Sequence, residues 1–296
     1  MKNRPLREAF RNLSNEIDRT FVLPKGTRGL FKICSAAALI KLVDFNVAVN
    51  RPRKTRDHLF QMSALRGFCD DLITITYLLR QPPNLRDSIV EALVSRQTEE
   101  DIRSQTAFFA EYRSDQWIIV RPPSESQKRI SDIRSKIAAI NGQLGKTPSG
   151  RLPTVEHMAN ECGLTHLYSF LYRGTSKIVH FNPRHLLRMG WGDTDTRQFV
   201  LAAGNFDAYY IDFTRFYAAL IFSEYMKATC HYLRPGRVVR AQARLVEHFL
   251  HKCGRWPELV TFEEMNIDPR KFPNFMHIAI GMEMAYGELK QGQSSD

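Results

Sequence analysis

Arg173 and His180 offer an anion-binding guanidinium and an imidazole that titrates near neutral pH, at a spacing that could bring them together. They are seven residues apart, and seven residues at about 100° each fall about 20° short of two full helical turns. The sequence therefore predicts that both side chains stack on one face of a single helix. Polar residues share or flank that face: Ser169, Ser176 and Lys177. Apolar residues form a separate stripe: Leu167, Leu171, Gly174, Ile178 and Phe181.

The same pattern is typical of an ordinary amphipathic surface helix. In that interpretation Arg173 is solvated, and His180 interacts with the carbonyl end of the helix dipole just before Asn182 and Pro183 end the helix. Spacing alone leaves both interpretations open.

An earlier helix carries a second polar group. Arg66 and Asp70 are four residues apart, which most often indicates a surface ion pair that stabilises a helix by about 0.2–0.5 kcal/mol. The functional alternative is that Arg66, Asp70 and Asp71 face the helix of His180 and orient Arg173.

The signature of the HEPN superfamily is an arginine, four to six further residues and a histidine. The pattern of Arg173 and His180, with six residues between them, resembles it. The chain resembles more closely a functionally uncharacterised group of HEPN-like, all-helical bacterial proteins, through the residues Arg66, Asp70, Asp71, Tyr77, Tyr172, Arg173, Ser176 and His180. The resemblance extends over about residues 55–232. It implies a mainly α fold, a helical bundle of HEPN-like type.

The resemblance also implies an activity, which is metal-independent cleavage of RNA. His180 would act as general base or acid around a ribose 2′-hydroxyl, and Arg173 would stabilise the charge that develops on the scissile phosphate. Family members usually dimerise with their motif helices facing each other, so we expect a homodimer. A role in phage defence or toxin-type growth control is implied as well. The supporting residues would be Ser176, Lys177, Asn182, Arg66 and Asp70.

Two features depart from the family pattern: the spacing is at its long end, and Gly174 stands where active members commonly carry a polar residue. The alternative function is a catalytically silent helical module that binds nucleic acid or a protein partner.

Composition is consistent with these expectations. Of 296 residues, 43% are hydrophobic and 25% are charged, which excludes disordered and collagen-like chains. The net charge of +11 favours contact with polyanions, either nucleic acid or an anionic membrane surface, and the alternative is a diffuse excess of charge without a specific partner. Five widely spaced cysteines without a CxxC motif indicate reduced thiols, as in a cytoplasm, rather than a disulfide framework.

Hydrophobic segments predict neither a leader nor a membrane span. The N-terminal segment is polar and carries acidic residues, so we expect no signal peptide. The most apolar run, residues 30–49, is interrupted by Lys32, Lys41 and Asp44, which is typical of a buried helix and not of a bilayer-spanning one.

Helical periodicity dominates the chain. Helices are predicted over residues 55–80, 84–112, 124–144, 154–162, 164–181, 206–232, 238–253 and 272–289. Residues 186–191 and 198–202 could form one β-hairpin insert. We expect an N-terminal helical region (1–54), a HEPN-like helical core (55–232) and a C-terminal helical extension (233–296). The aromatic run between Phe206 and Phe222 is predicted to be core rather than a platform for bases.

Metal and cofactor motifs are weak, so we expect neither. His157, Cys162 and His166 straddle Gly163 and would share no helix face, and the pair His248 and His251 lacks a fourth ligand. Two basic clusters, at residues 51–56 and 234–240, are interpreted as phosphate contacts or as solvated turns.

Overall fold

The computed structural model describes residues 4–20, 29–51, 58–193, 198–202 and 204–261. These residues contain eleven α-helices, one π-helical turn and one two-stranded sheet, so the fold is mainly α as predicted. The helices before the π turn are α1 (Arg4–Thr20), α2 (Leu30–Val49), α3 (His58–Arg80), α4 (Pro83–Tyr112), α5 (Pro123–Gln143), α6 (Val155–Cys162) and α7 (Thr165–Leu167). After the π turn (Tyr168–Tyr172) come α8 (Arg173–Val179), α9 (Pro183–Leu187), β1 (Gly190–Asp193), β2 (Gln198–Leu201), α10 (Asp207–Leu233) and α11 (Arg237–Lys252).

The centre of the fold is the packing of α10 against α3 and α2. Aromatic side chains of α10 are buried there, including Phe213, Phe216 and Phe222, and each contributes about 1.5–3 kcal/mol to folding. This confirms the prediction that the aromatic run is core. Two hydrogen bonds between α2 and α10 stabilise this packing. Asn46 Nδ2 donates to the Ala218 carbonyl at 3.1 Å, and Tyr225 Oη donates to the Ser35 carbonyl at 2.7 Å.

Prolines and a glycine set several of the helix boundaries. Pro83 and Pro123 occupy first helical positions, where the missing N–H has no intrahelical acceptor to lose. At α6, Thr154 Oγ1 accepts from the His157 N–H, and Gly163 ends the helix with a φ of 71°. The predicted helix at residues 272–289 lies outside the described residues.

Helices α4 and α5 pack on each other as an antiparallel hairpin. The segment that joins them exposes large apolar side chains, and Trp117 is 99% exposed. Its apolar neighbours are also exposed: Phe108, Tyr112, Ile119 and Val120. We refer to these five residues as the hairpin tip.

The predicted helix over residues 164–181 differs in two respects. It contains a π turn at Tyr168–Tyr172, and it ends at Val179. The predicted hairpin is present, but its first strand begins at Gly190, because residues 186 and 187 belong to α9. The strands are antiparallel, and Trp191 stands opposite Val200.

Two compact units divide the chain, residues 1–257 and 258–296, and the structure describes only residues 258–261 of the second. The predicted limits at residues 54 and 232 both fall inside the first unit. Within it, α1 packs on α11 and α2 packs on α10, so the regions on either side of the predicted core share its packing. No described helix is long and apolar enough to cross a bilayer.

Candidate functional site

Arg66 and His180 lie in contact, although one belongs to α3 and the other follows α8. Arg66 Nη1 is 3.3 Å from His180 Nε2. Arg66 is half-buried and His180 is exposed. Because a guanidinium only donates, this contact uses the Nε2 lone pair and assigns the proton of the neutral imidazole to Nδ1.

Tyr172, the last residue of the π turn, holds the same guanidinium. Arg66 Nη2 donates to Tyr172 Oη at 3.2 Å, and the guanidinium carbon lies 5.0 Å from the centre of the tyrosine ring. A hydrogen bond and a cation–π contact thus fix Arg66 next to His180.

Arg173 points to different partners. Its guanidinium forms an ion pair with Glu156 of α6 and lies 5.4 Å from the ring centre of Tyr168. Tyr168 and Tyr172 stack on each other with ring centres 4.8 Å apart. Arg66 therefore contacts one tyrosine of this stacked pair and Arg173 contacts the other.

The prediction that Arg173 and His180 share one helix face is wrong. His180 follows the last residue of α8 and has extended backbone angles, φ −106° and ψ 157°. The reason is Pro183, which disfavours helical angles at Asn182, so the chain must leave α8 before α9 can begin. The His180 side chain contacts Arg66 instead.

The π turn determines where Arg173 lies. The Arg173 N–H donates to the Tyr168 carbonyl five residues earlier, which is the hydrogen bond of a π-helix. This wider turn brings Arg173 over the ring of Tyr168. π turns of this kind occur frequently at functional sites.

The predicted supporting residues have diverse roles. Ser176 Oγ donates to the Tyr172 carbonyl at 2.5 Å, so its hydroxyl serves the helix backbone. Asn182 Oδ1 accepts from the His185 N–H and caps α9. Lys177 is exposed and forms no ion pair with any described residue, so its charge is available near His180.

Asp70 lies one turn after Arg66 on α3 and accepts from Thr74 Oγ1 at 3.2 Å. Burial raises the pKa of the Asp70 carboxyl above its ordinary value, against the opposing effects of the Thr74 hydrogen bond and the Arg66 charge. Asp71 is engaged elsewhere, in an ion pair with Lys41 at 2.6 Å.

Cys69 is fully buried beside this group and is not a nucleophile. Burial, with a contribution from the charge of Asp70, raises the pKa of its thiol to about 12, so that the thiol stays protonated at neutral pH.

Metal-ligating side chains do not cluster anywhere in the described part of the chain. His157 Nε2 instead contacts Glu161 Oε1 at 2.7 Å, and Lys146 bonds to the same carboxylate at 2.5 Å.

Comparison with known proteins matches residues 61–198 to a family of unknown function, DUF5677. The matched segment is slightly less than half of the chain and includes Arg66, Tyr172, Arg173 and His180. No curated protein and no solved structure matches the chain.

The chemistry that these groups can perform follows from their types. An exposed imidazole can transfer a proton, and the adjacent guanidinium can bind an anion and stabilise charge on it. Sequence analysis anticipated Arg66, Arg173 and His180 but assigned no role to Tyr168, Tyr172 or Glu156. The four-residue spacing of the two tyrosines just before Arg173 was the available signal.

Proposed function

We propose that this chain is a metal-independent endoribonuclease of HEPN-like type in which His180 transfers the proton. The observation that carries the proposal is the 3.3 Å contact between Arg66 Nη1 and His180 Nε2 at an accessible position. It places a proton-transfer group directly beside an anion-binding group, so that both can reach one phosphodiester. The net charge of +11 is consistent with an RNA substrate.

The chemistry begins when a phosphate replaces Nε2 as the acceptor for Arg66. The lone pair of His180 Nε2 then takes the proton of the neighbouring 2′-hydroxyl, and O2′ attacks phosphorus. The bond from phosphorus to O5′ breaks, and the leaving oxygen takes a proton from water. The hydroxide that remains takes the proton from the His180 imidazolium, which restores the neutral imidazole. The products are a 2′,3′-cyclic phosphate and a 5′-hydroxyl. Arg66 stabilises the negative charge of the phosphorane without any change in its own protonation.

Arg173 receives a different role from the one that the resemblance implied. Its guanidinium is held by Glu156 and Tyr168, on the other tyrosine of the stacked pair. This arrangement suits contact with a neighbouring phosphate of the same strand, while Arg66 serves the scissile one.

A homodimer is part of the proposal. Phe181, next to His180, is 85% exposed, and further apolar side chains around it are exposed: Val179, Leu186 and Leu187. An apolar surface of this kind beside a site favours coverage by a second copy of the chain. The resemblance adds the rest of the proposal, which is a cytoplasmic enzyme that acts in phage defence or growth control.

Cleavage of labelled single-stranded RNA in the presence of a chelator tests the proposal. We expect cyclic-phosphate ends, which His180→Ala abolishes and the control His248→Ala, another exposed histidine, leaves unchanged. Loss of a general base typically costs about 10²–10⁴-fold in rate. Cleavage that persists in His180→Ala would contradict the proposal.

The hairpin tip favours a second candidate, a catalytically silent module that binds a protein partner. An exposed aromatic cluster on a projecting segment is typical of interaction sites. A photoreactive residue at position 117 should then crosslink to a discrete partner in cells, and one at position 136 on the same hairpin should not. This candidate replaces the first if RNA is not cleaved and His180→Ala changes only thermal stability.

A further inference from the structure

Two adjoining cavities lie at the C-terminal end of α10, one between it and the helices α2, α3 and α4, and the other where it meets α11. Their volumes are about 580 and 470 Å³, and they share His231 and Arg234 in their walls. Cationic side chains from four parts of the chain line them: Lys32, Arg86, Lys227, Arg234 and Arg240. No carboxylate lines either cavity. We refer to the two together as the cationic groove.

The groove differs from the cavities between α4 and α5, so its composition is not a simple effect of the net charge. One of those, about 850 Å³, is lined by Glu100 as well as Arg103 and Arg121. Another, about 560 Å³, is lined by Asp132 as well as Lys128. Both of those cavities are lined by acidic and basic side chains together, whereas the groove has only basic ones.

Several of the groove cations lack a carboxylate partner. Lys32, Arg234 and Arg240 form no ion pair with any described residue. Arg86 is held by backbone carbonyls, donating to Leu79 at 2.7 Å and to Gln81 at 3.0 Å. These bonds fix the guanidinium without neutralising its charge.

Carboxylates near the groove are already engaged. Asp87 accepts from the Phe31 N–H at 2.8 Å. Glu224 and Glu247 both bond to Lys227, at 2.8 and 3.2 Å. Lys227 thus faces two carboxylates, and Asp87 keeps its charge because an N–H does not neutralise it. The five cations exceed these three carboxylates by two charges.

Arg234 has a backbone conformation that arginine rarely adopts. Its φ is 50°, and it is the only non-glycine residue with positive φ in the described part of the chain. Such a conformation costs a non-glycine residue about 1–3 kcal/mol, and it is also a common way for a helix to end. Here it ends α10 and keeps Arg234 at the boundary that both cavities share.

We propose that the cationic groove binds successive phosphates of a single-stranded RNA, at a position separate from Arg66 and His180. The choice of RNA as the ligand rests on the proposed ribonuclease function. Two connected compartments with cations in both suit a strand of phosphates better than one isolated phosphate group.

Binding of a labelled single-stranded RNA of about 12 nucleotides tests this, within the usual site sizes of such grooves. The measurements use the full chain with His180→Ala, which separates binding from cleavage. Lys32→Gln with Arg240→Gln removes two exposed groove cations. Lys128→Gln with Arg129→Gln on α5 is the charge-matched control, because it removes two exposed cations from another surface.

We expect the groove double variant to weaken RNA binding at least tenfold and the control to change it less than twofold. Because each phosphate contact contributes about 0.7 to the salt slope on single strands, the slope should fall by about 1.4 in the groove variant only. Equal losses in both variants, or none, would overturn the proposal. So would inorganic triphosphate that binds the groove while RNA binds with unchanged affinity in the groove variant.

These outcomes are distinguishable from failure of the proposed function. If the groove variant loses RNA affinity but the wild-type chain cleaves nothing, the groove is an RNA site on a non-catalytic protein. If the wild-type chain cleaves RNA and the groove variant binds and cleaves it equally well, the groove proposal alone is wrong.

Discussion

Arg66 meets His180 across 114 residues of chain, through a 3.3 Å contact between Nη1 and Nε2 that joins α3 to the residue following α8. Tyr172 holds the same guanidinium from the π turn that precedes α8. The candidate site thus depends on the packing of two helices against each other, and not on one helix face. Substitutions of Arg66 and Arg173 should therefore have different consequences.

Arg66→Ala should reduce RNA cleavage by about 10²–10³-fold, a loss comparable to removal of one oxyanion-hole donor. Arg173→Ala should reduce it less, because Arg173 contacts Glu156 and Tyr168 rather than His180. Single-turnover cleavage rates and RNA affinities of both variants measure this difference. Arg96→Ala, which breaks an exposed ion pair with Glu100, is the matched control. A larger loss of cleavage rate in Arg173→Ala than in Arg66→Ala would mean that Arg173, and not Arg66, stabilises the charge on the scissile phosphate.

Tyr172→Phe should keep the stacked tyrosine pair and remove only the hydroxyl that accepts from Arg66. Because this bond positions Arg66, we expect kcat to fall about tenfold with little change in KM, the loss of about 1.4 kcal/mol from a charge-assisted hydrogen bond. Steady-state kinetics with a short RNA substrate would show the split. A rise in KM with unchanged kcat would mean that the hydroxyl serves substrate binding instead.

Asp70 should destabilise the fold at neutral pH, since burial raises its pKa above the ordinary value of 3.8. Between the pKa of Asp70 in the unfolded chain and its higher pKa in the native state, the native state binds more protons than the unfolded state. The contribution of Asp70 to the free energy of unfolding therefore falls as pH rises through that window. Asp70→Asn should therefore increase the urea midpoint at neutral pH, while retaining an oxygen that accepts from Thr74. The advantage should shrink as the pH is lowered below the native pKa of Asp70. A variant that is less stable than wild type at neutral pH would show that the Arg66 attraction outweighs burial.

Cys69 should resist alkylation in the native protein, because its thiol is fully buried with a pKa of about 12. Iodoacetamide labelling at slightly alkaline pH, read by peptide mass spectrometry, should modify Cys69 only after denaturation. Cys230, which is partly exposed, provides the internal comparison. Native labelling of Cys69 at the rate of Cys230 would indicate that the packing between α3 and the π turn opens readily.

Particular residues show how far sequence predicts this structure. Pro83, Pro123 and Gly163 act locally, through a missing N–H or a permitted positive φ, so they predict the nearby helix boundaries to within a residue or two. The π turn could not be predicted from a fixed 100° period, because its bond from Arg173 to Tyr168 spans five residues. The contact of Arg66 with His180 depends on tertiary packing, which no spacing within one helix encodes.

Phe181 is the residue whose substitution should test the homodimer. Its ring is 85% exposed beside His180, and burying such a ring against a second copy would contribute about 1.5–3 kcal/mol. Phe181→Ser should therefore weaken dimerisation by at least tenfold while leaving the monomer as stable as wild type, because the ring makes few contacts within the chain. Phe108→Ser at the hairpin tip, another exposed phenylalanine, is the control and should leave the dimer unchanged. Sedimentation equilibrium over a range of protein concentrations measures the dimer dissociation constant of each variant. If the wild-type chain is monomeric at micromolar concentration, or if Phe108→Ser rather than Phe181→Ser disrupts the dimer, the surface beside His180 is not the dimer interface, and one copy must perform the chemistry alone.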